Sequence, residues 1–241
     1  SLRQKEYAYH LSEAAKWGRD IAWDQNCSGN IALRHTLEDI LENYKGERSG
    51  QQWEAFVVYA KRVFFANGVH HHYAEDKFFP ECSREYFRSL GASEEVLDYV
   101  YDTEKWQQRR STATDRDIVA LSAVNFYEGV TREEVEEYYK SIEVKGDPHP
   151  VSYGLNTKVV KNAQGQVVEL PWKLGGIDDA AISQIIEQLE LAAGVAETES
   201  QKKALGLLVE YYRTGDLRKW DEYNVEWVKD TEGTIDHING F

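Results

Sequence analysis

The chain has 241 residues, 41% of them hydrophobic and 12% aromatic, with 7 Trp and 15 Tyr, so it can bury a sizeable core and is not of disordered composition. Its 42 acids against 28 bases give a formal charge of −14, a field that repels phosphate backbones, and Lys202-Lys203 and Arg109-Arg110 are isolated basic pairs rather than a patch; nucleic acid is not an expected partner. No apolar run reaches the ~18 residues that cross a bilayer, and the N-terminus carries no secretory signal, so no membrane partner is expected.

In chain order, residues 4–24 carry Tyr7, Leu11, Ala14, Ala15, Ile21 and Trp23 at near-helical spacing, and Cys27-Ser28-Gly29-Asn30 interrupts the run. Ile31, Leu33, Leu37, Ile40 and Leu41 predict a second helix. After a loop at Gly46–Gly50, a third follows through Trp53, Phe56, Val57, Ala60, Val63 and Phe64. Ser83 and Ser93 are expected N-caps, with Glu94 and Glu95 in the first turn, where the positive end of the helix dipole favours acids. Thr131-Arg-Glu-Glu134 is a capping box opening a helix through Val135, Tyr138 and Ile142. The first 145 or so residues thus read as helical.

The period then changes. Asp147-Pro148-His149-Pro150 cannot continue a helix. Tyr153–Val160 and Gln166–Trp172 flank Asn162-Ala-Gln-Gly165 and predict a β-hairpin with a four- or five-residue loop; Pro171 puts the second strand at an edge or ends it there. Gly175-Gly176 forms a joint, and Asp178 is the expected N-cap of a helix through Ile182, Ile185, Ile186 and Leu189. Two further helices, 199–213 and 217–229, meet at Thr214-Gly215-Asp216, with Gly as C-cap and Asp as the next N-cap. The fold class is α+β, mostly helical with a small antiparallel sheet or barrel around 153–172.

Chemistry is sparse. There is no His-Glu-x-x-His, P-loop, nucleophile elbow or dinucleotide fingerprint. Cys27 and Cys82 lack Cys-x-x-Cys spacing and read as ordinary thiols, with a single disulfide as the alternative in an oxidising compartment. Glu133-Glu134 and Glu136-Glu137 read as a solvated helix face. Asp178-Asp179 either caps a helix or aims a carboxylate into a cleft. The run Asn67-Gly-Val-His-His-His-Tyr-Ala-Glu-Asp-Lys-Phe-Phe-Pro80 is the most distinctive stretch. Three adjacent imidazoles cannot all enter one core, so at least one is solvated or lines a cleft. His70 and His72 could chelate from one face of an extended segment, but zinc needs about three protein ligands and the other histidines, at 10, 35, 149 and 237, have no helpful spacing; a hydrogen-bonded loop at a cleft rim is the preferred reading.

That run, taken in order with Arg19-Asp-Ile-Ala-Trp-Asp-Gln-Asn26, Ser152-Tyr-Gly-Leu-Asn-Thr-Lys158, Trp172-Lys-Leu-Gly-Gly176, Ala192-Ala-Gly-Val-Ala-Glu197, Tyr212-Arg-Thr-Gly-Asp216, Trp227-Val-Lys-Asp230 and Asn239-Gly-Phe241, resembles the bacterial branch of dipeptidyl peptidase III. The resemblance implies a zinc exopeptidase that releases dipeptides from the N-termini of short peptides. Its zinc ligands come from a His-Glu-x-x-Gly-His helix and a downstream glutamate; neither is present, so the chain is similar to the family's N-terminal portion, with no metal ligand and no catalytic residue of its own and zinc expected in the full-length member. Both ends look cut, since the chain starts Ser1-Leu2-Arg3, contains no Met and stops at Phe241; a piece of a longer polypeptide is expected.

By the same resemblance, 1–190 are mainly lower-lobe helices plus the small sheet, 191–230 are helices of the upper lobe, and 231–241 return to the lower lobe. The expected partners are short peptides, the missing catalytic half and, through exposed helices, another copy of the chain. The compartment implied is cytoplasmic, with periplasmic export as the alternative. The substrate-binding residues implied are His72 and Tyr73 at the cleft, Asp178 where the family often has a hydrogen-bonding Tyr, and Asn239 where an asparagine holds the peptide N-terminus. A carboxylate at Asp178 cannot donate as that Tyr does, and is suited instead to the substrate's free amine. The alternative is a non-catalytic peptide-binding or scaffold domain, free-standing or fused to another enzyme domain.

Overall fold

The computed structural model describes residues 1–240; Phe241, the last residue of the Asn239-Gly-Phe241 block, lies outside them. The order is α1 (Leu2–Asn26), α2 (Asn30–Asn43), α3 (Gly50–Ala66), α4 (Arg84–Ser89), α5 (Glu94–Tyr101), α6 (Ile118–Leu121), β1 (Tyr127–Glu128), α7 (Arg132–Ile142), β2 (Thr157–Lys161), β3 (Val167–Pro171), α8 (Asp179–Gly194), α9 (Glu199–Thr214) and α10 (Leu217–Lys229). The chain is mostly helical with one small sheet, as the sequence predicts. It divides into two compact units, one of residues 22–127 and one of residues 1–21 with 128–241.

In the unit 22–127, α2 buries Leu33, Leu37 and Ile40, and α3 buries Phe56, Tyr59, Ala60 and Val63. These i, i+3, i+4, i+7 stripes meet Phe87 of α4 and Val96, Leu97 and Val100 of α5 in one core. Each buried Leu, Ile, Val or Phe among them contributes about 1.5–3 kcal/mol of burial. α3 ends where Asn67 turns left-handed (φ 53°) and donates its N–H to the last carbonyls. Gly68 follows at φ 146°, and a Cβ there would lie 2.3 Å from the Asn30 amide nitrogen, so only glycine fits. Ser83 and Ser93 cap α4 and α5 by accepting from the N–H groups of Tyr86 and Val96. Cys27 and Cys82 are free and buried, and burial pushes both thiols up.

The helical reading fails between 102 and 126. There the chain is turns and short bridges, with α6 its one helix; Gln108 bridges both Asp76 and Ser122. Tertiary bridging, rather than periodicity, organises this segment.

In the other unit, α8 buries Ile182, Ile185, Ile186 and Leu189, and α9 buries Leu205, Leu208, Val209 and Tyr212. α8 packs on α9, and α9 on α10. His10 of α1 meets Gln188 of α8 at 2.9 Å. The sheet order is β1-β2-β3, with β2 antiparallel to β3 and Thr157 opposite Pro171 through Lys161 opposite Val167. β3 is therefore an outer strand and ends at Pro171. The Asn162 side chain accepts from the N–H groups of Gln164 and Gln166, closing the hairpin loop. Strand β2 starts only at Thr157, because 153–156 form a turn with Gly154 at φ 82°.

Thr131 forms the full capping box of α7, both the hydroxyl to Glu134 N–H and the Glu134 carboxylate to Thr131 N–H contacts being made. Thr131→Ala is expected to cost about 1 kcal/mol, read as a lower urea midpoint at unchanged slope.

Candidate functional site

The residues singled out by sequence fall on both units. His72 and Tyr73 belong to 22–127, whereas Asp178 and Asn239 belong to the other unit.

The histidine loop is a tight reversal. His70 bridges Lys77, His71 N–H donates to Asp76 at 2.7 Å, and Phe78 N–H donates to Val69 at 2.7 Å. The imidazoles part company as expected. His70 is 3% exposed, and its Nε2 donates to the Trp106 carbonyl at 2.7 Å, because a carbonyl can only accept. Burial lowers its pKa to about 4, so the ring is neutral. His71 turns inward on its own loop, where Nδ1 accepts from the N–H groups of Tyr73 (3.2 Å) and Ala74 (3.0 Å). His72 lies against Phe65 (centroids 4.9 Å) and Tyr73 (4.2 Å), with its Nδ1 buried and unpartnered. Tyr73 is 83% exposed.

Two features the sequence reading missed hold this loop. Glu75, left-handed at φ 68°, takes a two-pronged contact from Arg109 (2.8 and 2.9 Å) and another from Arg110 (2.6 Å). The Arg109 hydrogen bonds hold the Glu75 carboxyl down at about 2. Arg109 also donates to Asn26 Oδ1 (3.2 Å) and to the His72 carbonyl (3.4 Å). The second is Lys77, a buried lysine whose Nζ donates to the Asp102 carbonyl at 2.7 Å. The Glu-Arg-Arg contact spans 34–35 residues, and no short-range pattern announces it.

In the other unit Asp178 stands at the start of α8 but does not cap it. Its backbone is left-handed (φ 55°), and its carboxylate accepts from Trp172 Nε1 at 3.1 Å. Asp179 instead reaches back, accepting from Gly175 N–H at 2.5 Å. The expected cap is thus replaced by a carboxylate docked on a buried indole. Leu174 N–H donates to the Tyr212 carbonyl at 2.8 Å, and the buried Tyr212 hydroxyl donates to Asn239 Oδ1 at 2.7 Å. Asn239 Nδ2 is buried without a partner. The segment carrying Asp178 and the one carrying Asn239 are therefore both tied to Tyr212.

Among the described residues, no group of three or more His, Cys, Asp or Glu is placed to hold a metal ion. The residues present do not fit a zinc site, His70 and His72 included. No helix is long and apolar enough to cross a membrane.

Residues 156–241 match the model of Peptidase family M49. A search of curated proteins finds no match. Among solved structures, the chain is similar to dipeptidyl peptidase III from Caldithrix abyssi, at 19% identity and a TM-score of 0.60 over 98% of this chain and 35% of that one. It is also similar to dipeptidyl-peptidase III from Corallococcus sp. strain EGB, at 18% identity and a TM-score of 0.55 over 94% of this chain and 33% of that one. The chain spans about a third of the length of either protein. Residues 156–241 are thus similar to Peptidase family M49, and over nearly all its length the chain has the fold of a portion of bacterial dipeptidyl peptidase III.

Proposed function

We propose that this chain is the N-terminal, substrate-binding portion of a zinc-dependent dipeptidyl peptidase III-like exopeptidase, which releases dipeptides from the N-terminus of short peptides. The metal ligands belong to the remaining part of the longer polypeptide, and the 241-residue chain alone is inactive.

The observation that carries this reading is the Asn239 amide. Its oxygen is fixed by Tyr212, while its buried NH₂ has no partner. A buried unsatisfied donor costs about 1–3 kcal/mol, and a peptide carbonyl would satisfy it. In this reading Asp178, already held by Trp172, offers its second carboxylate oxygen to the substrate ammonium. The outer edge of β3 offers backbone groups to an extended peptide, and in the unit 22–127 the residues proposed to contact substrate are His72 and the exposed Tyr73. The division into 1–190, 191–230 and 231–241 is the lobe assignment that accompanies this proposal. In it, the exposed Val225 and Val228 of α10 are covered by the catalytic half or by a second copy.

The test uses the longer polypeptide and a dipeptidyl arylamide. Asn239→Ala is expected to lower kcat/KM about 10-fold or more, with the change chiefly in KM. His72→Ala and Tyr73→Ala are expected to raise KM. Unchanged kinetics for Asn239→Ala would remove the amide from the site. Hydrolysis by the 241-residue chain alone would refute the division of labour.

A further inference from the structure

Lys77 presents an unusual balance of forces. Its Nζ has three protons to place, and one meets the Asp102 carbonyl at 2.7 Å. No carboxylate is ion-paired with it among the described residues; instead the ammonium lies over the rings of Phe79 (5.2 Å), Tyr99 (5.7 Å) and Trp106 (5.9 Å). Ring quadrupoles offset part of the desolvation of a buried cation, but a buried charge without a counterion remains costly. The amine responds accordingly, with burial lowering its pKa to about 8.

Lys77, Phe79 and Trp106 also line a cavity of about 900 Å³, within the unit 22–127. That volume suits a small organic molecule. Two more cations, Lys105 and Arg116, stand on its wall against two acids, Asp76 and Glu104, which leaves a net positive lining. Trp106 is held in shape for this wall: its backbone is left-handed (φ 55°) and its carbonyl is clamped by His70.

We propose that this cavity binds a small organic carboxylate with a flat apolar body, the carboxylate on the Lys77 ammonium and the body against Trp106 and Phe79. The inference is independent of the peptidase reading, since it uses none of His72, Tyr73, Asp178 or Asn239. The anion supplies the counterion that the protein does not, and the rings that solvate the ammonium from the side supply the stacking surface.

The test titrates the full chain at neutral pH, by calorimetry, with indole-3-acetate and with the neutral indole-3-acetamide as its matched control. The acid is expected to bind about tenfold more tightly than the amide, and Lys77→Met is expected to erase that preference. Because Lys77→Met changes a buried position, a second readout uses the unaltered protein. Acetylation of Lys77 by acetic anhydride, followed by peptide mass spectrometry, should be lost in the presence of indole-3-acetate and kept with indole-3-acetamide, with exposed Lys61 as the internal reference. Equal affinity of acid and amide would overturn the proposal. So would undiminished Lys77 acetylation in saturating indole-3-acetate, benzoate and 2-naphthoate.

Discussion

Asn30→Ala is expected to destabilise the unit 22–127 by about 4 kcal/mol, the largest single-residue loss in the molecule outside its large apolar side chains. Asn30 is fully buried. Its Nδ2 donates to the Trp23 carbonyl at 3.0 Å, and its Oδ1 accepts from Val69 N–H at 3.1 Å and from the Tyr99 hydroxyl at 2.9 Å. One side chain thus joins the end of α1, the entry to the histidine loop and α5. Truncation to Ala leaves the buried Val69 N–H without a partner, at about 1–3 kcal/mol, and removes one bond each, at about 1 kcal/mol, from the Trp23 carbonyl and the Tyr99 hydroxyl, which keep Cys27 as a partner; water entry would recover part of the loss. Gly68 packs directly on this amide, so the vacated space is lined by polar groups rather than collapsible apolar ones. Amide hydrogen exchange across α2, α3 and α5 reads the result, with protection falling about a thousandfold if the loss is about 4 kcal/mol. Protection unchanged in these helices would show that the three bonds carry no net stability.

The second large effect is acid sensitivity centred on His70. The folded imidazole is neutral, with its pKa lowered by burial from the ordinary 6.5 to about 4. The folded state therefore binds fewer protons than the unfolded chain between these values, and stability falls as pH falls. The contribution is fully present above pH about 6.5 and is lost progressively down to pH about 4, amounting to about 3 kcal/mol when complete. Glu75, held at about 2, responds in a lower window, retaining its contribution above the ordinary carboxylate value of 4.5 and losing it as pH falls toward 2. The two windows separate the causes. Urea unfolding between pH about 7 and about 4.5 should show a steep decline in the parent protein and a flattened one in His70→Gln, whose amide keeps a donor for the Trp106 carbonyl. Equal slopes in the two proteins would assign the decline to other groups.

What was legible in the sequence, and what was not, follows from the range of the interactions. Caps and turns are local chemistry: Ser83, Ser93, Thr131, Asp216 and the Asn162 loop could be read because each bonds within four residues of itself. The stripes of α2, α3, α8 and α9 were legible because burial repeats with the helix period. Residues 102–126 were not, since Gln108 and Ser122 are organised by bridges to distant chain. Asp178 shows the same limit at one residue. Its type and position said N-cap, but a tertiary bond from Trp172 competes for the carboxylate and takes it. Lys77 and Glu75 sit in the most distinctive run of the chain, yet their partners lie some 25–35 residues further on. A single sequence contains no signal of such pairing. The identity of the histidine that faces inward was likewise open: adjacency required a division of labour among the three rings, and only the Trp106 carbonyl assigns the buried role to His70.

The most direct test of the peptide-binding account is product analysis. The longer polypeptide containing residues 1–241 is incubated with an unmodified pentapeptide and with its N-acetylated form, and the fragments are identified by mass spectrometry. The account predicts release of the N-terminal dipeptide from the free-amine peptide alone, sharply reduced by Asn239→Ala and abolished by a chelator. Cleavage that ignores the acetyl group, or no dipeptide from either peptide, would contradict it.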